Sequence, residues 1–146
     1  IEWGSAADDR VMYIPVSDVL QPDAGGLHAV GIGSGERIWH TPAPTPGCAV
    51  GQGCSSAQSA AISVIPGVVF SGAVDGRLRA YDATDGRIIW DVDTARDFET
   101  VNGVAGSGGS IDGPGPTIVG GMVFVGSGYG RWRGRAGNVL LAFFVE

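Results

Sequence analysis

Three polar side chains recur at one place in a repeating pattern. When Val11, Val68 and Met122 are aligned, Glu2, Gln58 and Asp112 fall within a residue of one another. Carboxylates gathered away from bulk water do general acid–base chemistry, and Asp112 and Glu2 are the candidates for a proton acceptor. Hard cations also take carboxylate and amide oxygens, which makes Asp112 and Asn102 the candidate metal ligands. The same three positions would equally serve to cap the start of a strand. A second set of candidates lies around Arg96-Asp97-Phe98-Glu99. Arg96 can hold a ligand carboxylate through two hydrogen bonds, or pair with Asp97 or Glu99. Asn102-Gly103 is also a common turn dipeptide. A third set is the run from Tyr129 to Arg135, where Tyr129, Arg131 and Trp132 form an aromatic, arginine-rich rim. Such a rim suits an extended polyol, a sugar or an acidic surface, and it reads equally as a hairpin arm with arginines facing solvent.

The elements that must position these residues are written in a repeated phrase. Ala80-Tyr81-Asp82-Ala83-Thr84-Asp85-Gly86-Arg87-Ile88-Ile89-Trp90 has the form A-x-D-x-x-x-G-x-x-x-W. The stretch from Ala29 to Trp39 keeps the same frame, with Gly31 in place of the Asp. A fixed period of this size marks an array of small sheets. Alternation in Leu78-Arg79-Ala80-Tyr81 suits a strand, and Asp82 to Gly86 is a tight turn. The strand after the turn ends on a Trp large enough to pack on a neighbouring sheet and still place its N–H on a polar partner.

Aligned on this phrase, the chain divides into three blades at 1–41, 57–94 and 110–146, with loops at 42–56 and 95–109. Strands are expected at 3–7, 11–16, 27–30 and 36–40 in the first blade, and at 60–65, 68–72, 78–81 and 87–92 in the second. The third has 117–119, 122–126 and 138–144. Both inter-blade loops are too rich in Gly, Pro and Ser to read as strands. The long connections all fall on one face, where sites are usually built on a rigid scaffold. Three blades do not close a propeller. The remaining blades are therefore expected from another polypeptide, from copies of this chain, or from a longer parent of which this is a part.

Composition agrees with an all-β chain and removes several function classes. Glycine accounts for 26 of 146 residues, about twice ordinary usage. The net charge of −6 argues against a nucleic acid partner. All nine basic residues are Arg, so there is neither a phosphate-loop lysine nor a Schiff base. Gly31-x-Gly33 lacks the third glycine of a dinucleotide fingerprint. His28 and His40 have no Ser or Cys partner at a recognisable spacing, and read as structural. No apolar run is long enough to span a membrane, and Ile1-Glu2-Trp3 reads as already inside a blade rather than as a signal peptide, so a leader would lie upstream of it. Cys48 and Cys54, with no His nearby and no Cys-x-x-Cys-His pattern, read as a small disulfide loop formed in an oxidising compartment, periplasmic or extracellular.

The repeated phrase resembles the tryptophan-docking motif of the quinoprotein dehydrogenase propellers, which use pyrroloquinoline quinone (PQQ). Longer stretches resemble the polyvinyl-alcohol-dehydrogenase-like branch and its C-terminal part: Gly53-Cys54-Ser55-Ser56-Ala57-Gln58-Ser59-Ala60-Ala61, the run Val69 to Asp82, Thr100-Val101-Asn102-Gly103-Val104, Asp112-Gly113-Pro114-Gly115-Pro116 and Gly120-Gly121-Met122-Val123-Phe124-Val125. The resemblance implies about three four-stranded antiparallel blades of a quinoprotein-type propeller. It implies hydride transfer from an alcohol or polyol to PQQ, with Ca2+ beside the quinone and a cytochrome-type electron acceptor. In that setting Trp3, Cys48, Cys54, Gln58, Arg96 and Asn102 are the candidate cofactor contacts. Such enzymes often hold a vicinal disulfide against the cofactor; Cys48 and Cys54 are not vicinal, so only their loop is expected nearby. Two other roles fit blades of this kind: a non-catalytic assembly scaffold, and a carbohydrate-binding propeller completed by other chains.

Overall fold

The computed structural model describes residues 1–49, 51, 53–131 and 134–144. No helix occurs among them, and none is long and apolar enough to cross a membrane. The first sheet joins β1 (Ala6–Ala7), β2 (Val11–Val16), β3 (Gly26–Gly31) and β4 (Arg37–Thr41) in sequence order. The second joins β5 (Ser63–Ile65), β6 (Val68–Gly72), β7 (Arg77–Asp82) and β8 (Ile88–Asp93) in the same way. Between the second and third sheets lie β9 (Asp97–Phe98) and β10 (Gly106–Ser107), a short antiparallel ladder. The third sheet joins β11 (Thr117–Val119), β12 (Met122–Ser127) and β13 (Val139–Phe144). All pairings are antiparallel.

Two expectations need correction. The 95–109 loop contains the β9–β10 ladder, where Phe98 pairs with Gly106 and glycine lets the two backbones approach. The innermost strands of the first two sheets are also shorter than their apolar pattern suggests. Residues 3–5 and 60–62 leave the ladder because their backbone groups bond across the sheets: Ile62 N–H donates to the Gly4 carbonyl at 3.4 Å, and Ala61 N–H to the Gly113 carbonyl at 2.9 Å.

The three sheets repeat residue for residue. Tyr13 pairs with Ala29, Phe70 with Ala80, and Phe124 with Ala142. Beside them, Leu27, Leu78 and Leu140 pair with Pro15, Gly72 and Gly126. This aromatic–Ala–Leu face of one sheet packs on the next sheet. The first junction holds Tyr13, Leu27 and Ala29 against Ile62, Val69 and Tyr81, all buried. The second holds Leu78 against Ile111, Val125 and the partly buried Val123, Leu141 and Phe143. Burying each large side chain stabilises by about 1.5–3 kcal/mol.

The turn after β7 shows why the repeat needs its glycine. Asp82 Oδ1 accepts from Thr84 N–H at 2.8 Å, and Gly86 N–H donates to the Asp82 carbonyl at 2.8 Å. Gly86 has φ +75, and a Cβ there would lie 2.5 Å from the Trp39 ring. The Trp39 indole N–H donates to the Ala83 carbonyl at 3.0 Å, and Thr41 Oγ1 to the Gly86 carbonyl at 2.6 Å. The first sheet is thereby tied to the turn of the second.

Candidate functional site

The segments entering the three sheets abut. Gly4 lies beside the second sheet's entry, its carbonyl accepting from Ile62 N–H, and a Cβ on Gly115 would collide with the Ala61 carbonyl, so only glycine admits that approach. This contact brings the start of the first sheet and the start of the third together over the second.

Four of the candidate residues converge there. Asp112 is buried, and its Oδ1 accepts from Gly113 N–H at 2.8 Å. Burial holds its carboxyl above the ordinary carboxylate range; the Gly113 N–H opposes the rise, the negative charge of Glu2 adds to it, and a hydrogen bond from Trp3 opposes it. Trp3 therefore reaches Asp112 from the segment that enters the first sheet. The Trp3 ring meets Tyr129 edge-on, with centroids 6.4 Å apart. Tyr129 also lies against Gly113, where a Cβ would be 3.5 Å from its ring. The result is the buried Asp112 carboxyl beside two aromatic rings, with Trp3 half exposed and the exposed Glu2 acting on Asp112 through its charge.

The other candidates are placed elsewhere. Gln58 is buried inside the second sheet: its amide donates to Tyr81 Oη at 2.9 Å, and its oxygen accepts from Ser71 Oγ at 3.0 Å. Both ends of the amide are engaged, and burial raises the Tyr81 phenol to about 12. Asn102 lies exposed in a turn, where its Oδ1 accepts from Thr100 Oγ1 at 2.6 Å and from Val104 N–H at 3.1 Å. The Arg96 guanidinium lies 4.3 Å over the Phe98 ring; among the described residues it forms no ion pair with Asp97 or Glu99. Arg131 is exposed, and its carbonyl accepts from Gly134 N–H at 2.9 Å. Trp132 lies outside the described residues.

Cys48 and Cys54 form a disulfide, and Cys54 lines a groove of about 540 Å3 with Pro42, Pro44, Gln21 and Asp23. Gly53 packs on the Arg135 backbone. Among the described residues no group of three or more His, Cys, Asp or Glu side chains is arranged to hold a metal ion. Calcium takes six to eight oxygens. The Asn102 oxygen already carries two hydrogen bonds, and the carboxyls of Glu2 and Asp112 alone do not make that donor set.

Two buried networks escaped the sequence. Arg79, 2 % exposed, lies between Asp75 at 3.2 Å and Asp91 at 3.3 Å, with Arg77 closing the set on Asp91 at 2.8 Å. The signal was available in the cross-strand register, which pairs Arg79 with Asp91 and Arg77 with Asp93. The second network joins Thr94, Ser127 and Ser110 at the second junction. Thr94 Oγ1 donates to the Gly76 carbonyl at 2.6 Å and meets Ser127 Oγ at 2.8 Å, while Gly109 N–H donates to Ser127 Oγ at 2.9 Å. Its residues are small and common, so their types alone carry no signal.

Known proteins share this arrangement of strands. A family model described as outer membrane protein assembly factor BamB, PQQ_2, matches residues 6–143. A polyvinylalcohol dehydrogenase of Sphingopyxis sp. is 47% identical over all of the chain and 25% of its own length. A polyvinylalcohol dehydrogenase of Pseudomonas sp. is 43% identical over the same shares. The chain thus spans about a quarter of the length of these relatives. The crystal structure of quinohemoprotein alcohol dehydrogenase from Comamonas testosteroni superposes with a TM-score of 0.63 at 27% identity, over 88% of this chain and 17% of that one.

Proposed function

Since the chain belongs to the PQQ_2 propeller family, we propose that it forms part of a PQQ-dependent dehydrogenase that oxidises a secondary alcohol or polyol. The observation that carries this reading is the meeting of Asp112, Glu2, Trp3 and Tyr129 where the first and third sheets touch. Resemblance to polyvinylalcohol dehydrogenases over the whole chain supports the substrate class.

The residues divide the work as follows. Asp112 accepts the hydroxyl proton. Its buried position and the Glu2 charge make it a stronger base than an exposed aspartate, as a proton acceptor at neutral pH requires. The Gly113 N–H holds the carboxyl group in place through Oδ1. The negative charge of Glu2 adds to the rise of the Asp112 carboxyl. Trp3 and Tyr129 supply aromatic surface that fits a flat quinone, and Tyr129 adds a phenol at the rim. When bound, PQQ supplies a two-electron acceptor for the hydride of the alcohol carbon. No step is assigned to calcium, because the described donors do not form its cage.

The disulfide supports a periplasmic or secreted protein, and the short span relative to its relatives supports completion of the propeller by further blades. A cytochrome-type acceptor then removes the electrons. The test is alcohol-dependent dye reduction by the completed propeller that contains these three blades, supplied with PQQ, using polyvinyl alcohol and a short 1,3-diol. Asp112→Asn should lower kcat by roughly 100-fold or more, in the range of a lost general base. Equal rates in wild type and Asp112→Asn, or no alcohol-dependent reduction at all, would overturn the reading.

A further inference from the structure

Ser110 is fully buried two residues before Asp112, and every polar atom it owns is engaged. Its hydroxyl donates to the Val74 carbonyl, in the turn between β6 and β7. The same hydroxyl accepts from Arg135 N–H at 2.7 Å, and its own N–H donates to the Arg135 carbonyl at 2.8 Å. Its carbonyl accepts from Gly128 N–H at 2.9 Å and Tyr129 N–H at 3.0 Å. One residue thus grips both ends of the segment that carries Tyr129. It also anchors that segment to the second sheet, and the next bond along the chain, Ile111 N–H to the Ala73 carbonyl at 3.1 Å, continues the same seam toward Asp112.

We infer that Ser110 is a positioning residue: through these bonds it sets the Asp112 carboxyl and the Tyr129 ring at a fixed distance and angle from each other and from Trp3. The inference rests on the proposed role of that cluster in alcohol oxidation. The geometry argues for it in two ways. Asp112 and Tyr129 sit on different connections, 17 residues apart in sequence, and Ser110 is bonded to one while lying two residues from the other. The Ser110 hydroxyl is moreover bonded to two different connections, so replacing it frees both at once. The buried hydroxyl of Thr94, at the same junction, ties the end of β8 to Gly76 and Ser127 instead, and has no bond to the Arg135 backbone.

The test uses the full chain labelled with 5-fluorotryptophan, with the Trp3 resonance assigned by Trp3→Phe. In Ser110→Ala the Trp3 line should move by more than its own width while the Trp39 line stays in place, and Ser110→Thr, which keeps the hydroxyl, should return it. Thr94→Val, an equally buried loss of a hydroxyl, should leave the Trp3 line where it is. In turnover with PQQ, Ser110→Ala should lower kcat about tenfold or more with KM changed less than about twofold, as expected for displaced rather than deleted reacting groups. If Ser110→Ala does not fold, Ser110→Cys keeps the volume with a much weaker hydrogen-bonding group and reads the same line. An unmoved Trp3 line in the folded variant, or an equal shift in Thr94→Val, overturns the inference. A wild type that oxidises no alcohol removes the functional reading, while the fluorine line still decides whether Ser110 positions the cluster.

Discussion

The junction around Trp39 and the environment of Trp90 begin from the same phrase and end differently. Trp39 lies across from Ala29 and Trp90 across from Ala80, each at the end of the same turn-and-strand frame. The Trp39 indole finds the Ala83 carbonyl and lies against Gly86 of the next sheet. Trp90 is 36% exposed, and its ring meets Phe143 edge-on at 5.2 Å, at the mouth of an apolar groove of about 370 Å3 lined by Phe70, Ile89 and Phe144. The difference lies in the neighbour. By register Phe143 stands where Tyr81 does, so the counterpart of Ala83 is residue 145, outside the described residues. A repeat residue is only as structural as the sheet that follows it.

The largest expected effect therefore separates the two tryptophans. Trp39→Ala removes a partly buried ring and its hydrogen bond to the second sheet, and should cost up to about 3–5 kcal/mol in denaturant unfolding, the upper range for an aromatic that leaves a cavity. Trp90→Ala should cost well under half of that. Equal losses would mean that Trp90 has an anchoring partner comparable to Ala83 and Gly86. A comparable effect is expected inside the second sheet, where Arg79→Ala leaves Asp75 buried without its partner. Its cost should be about 3–5 kcal/mol, and a cost near zero would show that water replaces the guanidinium.

Leucines extend the comparison to the third sheet. Leu27 is fully buried and Leu140 is 74% exposed, although both occupy the same repeat position. Leu27→Ala should cost about 2–5 kcal/mol. Leu140→Ala should stay within about 0.5 kcal/mol in the 146-residue chain, as for an ordinary surface change. Wherever a further blade covers the third sheet, the two costs should converge. Thermal unfolding of both variants checks this.

The smallest effect concerns pH. The Asp112 carboxyl is raised in the folded protein, so its proton is bound more tightly there than in the unfolded chain. The stability this contributes is complete below the ordinary value of 3.8 and is lost as pH rises through the folded value above it. Asp112→Asn should remove that slope, so the difference in melting temperature between variant and wild type should grow in favour of the variant from about pH 4 upward. A difference that stays constant with pH would mean that Asp112 is not raised.

Most of the fold was written in short-range signals. The Asp–Gly turns and the 51-residue spacing of Trp39 and Trp90 define the sheets, and the alternation in β7 defines their faces. Of the site, Asp112 and Glu2 followed from alignment of the repeats, and Tyr129 from its aromatic, arginine-rich run. Alignment alone misled for Gln58: the second sheet is covered on both faces, so a side chain equivalent to Asp112 finds Tyr81 and Ser71 in the interior. Asn102 was drawn into its own turn by two nearby donors. The Ser110 network was illegible because it depends on which loops the packing of the sheets brings together, and no local pattern encodes that; the Arg79 network needed only the β7–β8 register, which sets Arg79 opposite Asp91.

The central claim is that the meeting point of the first and third sheets, rather than the exposed tryptophan of the second, is where the quinone binds. Equilibrium dialysis of PQQ against the full chain tests it directly. The account predicts one quinone per polypeptide, with affinity reduced about tenfold or more by Trp3→Ala, the loss of a stacking aromatic contact, and unchanged by Trp90→Ala. Absence of binding, or an equal loss in the two variants, would contradict it.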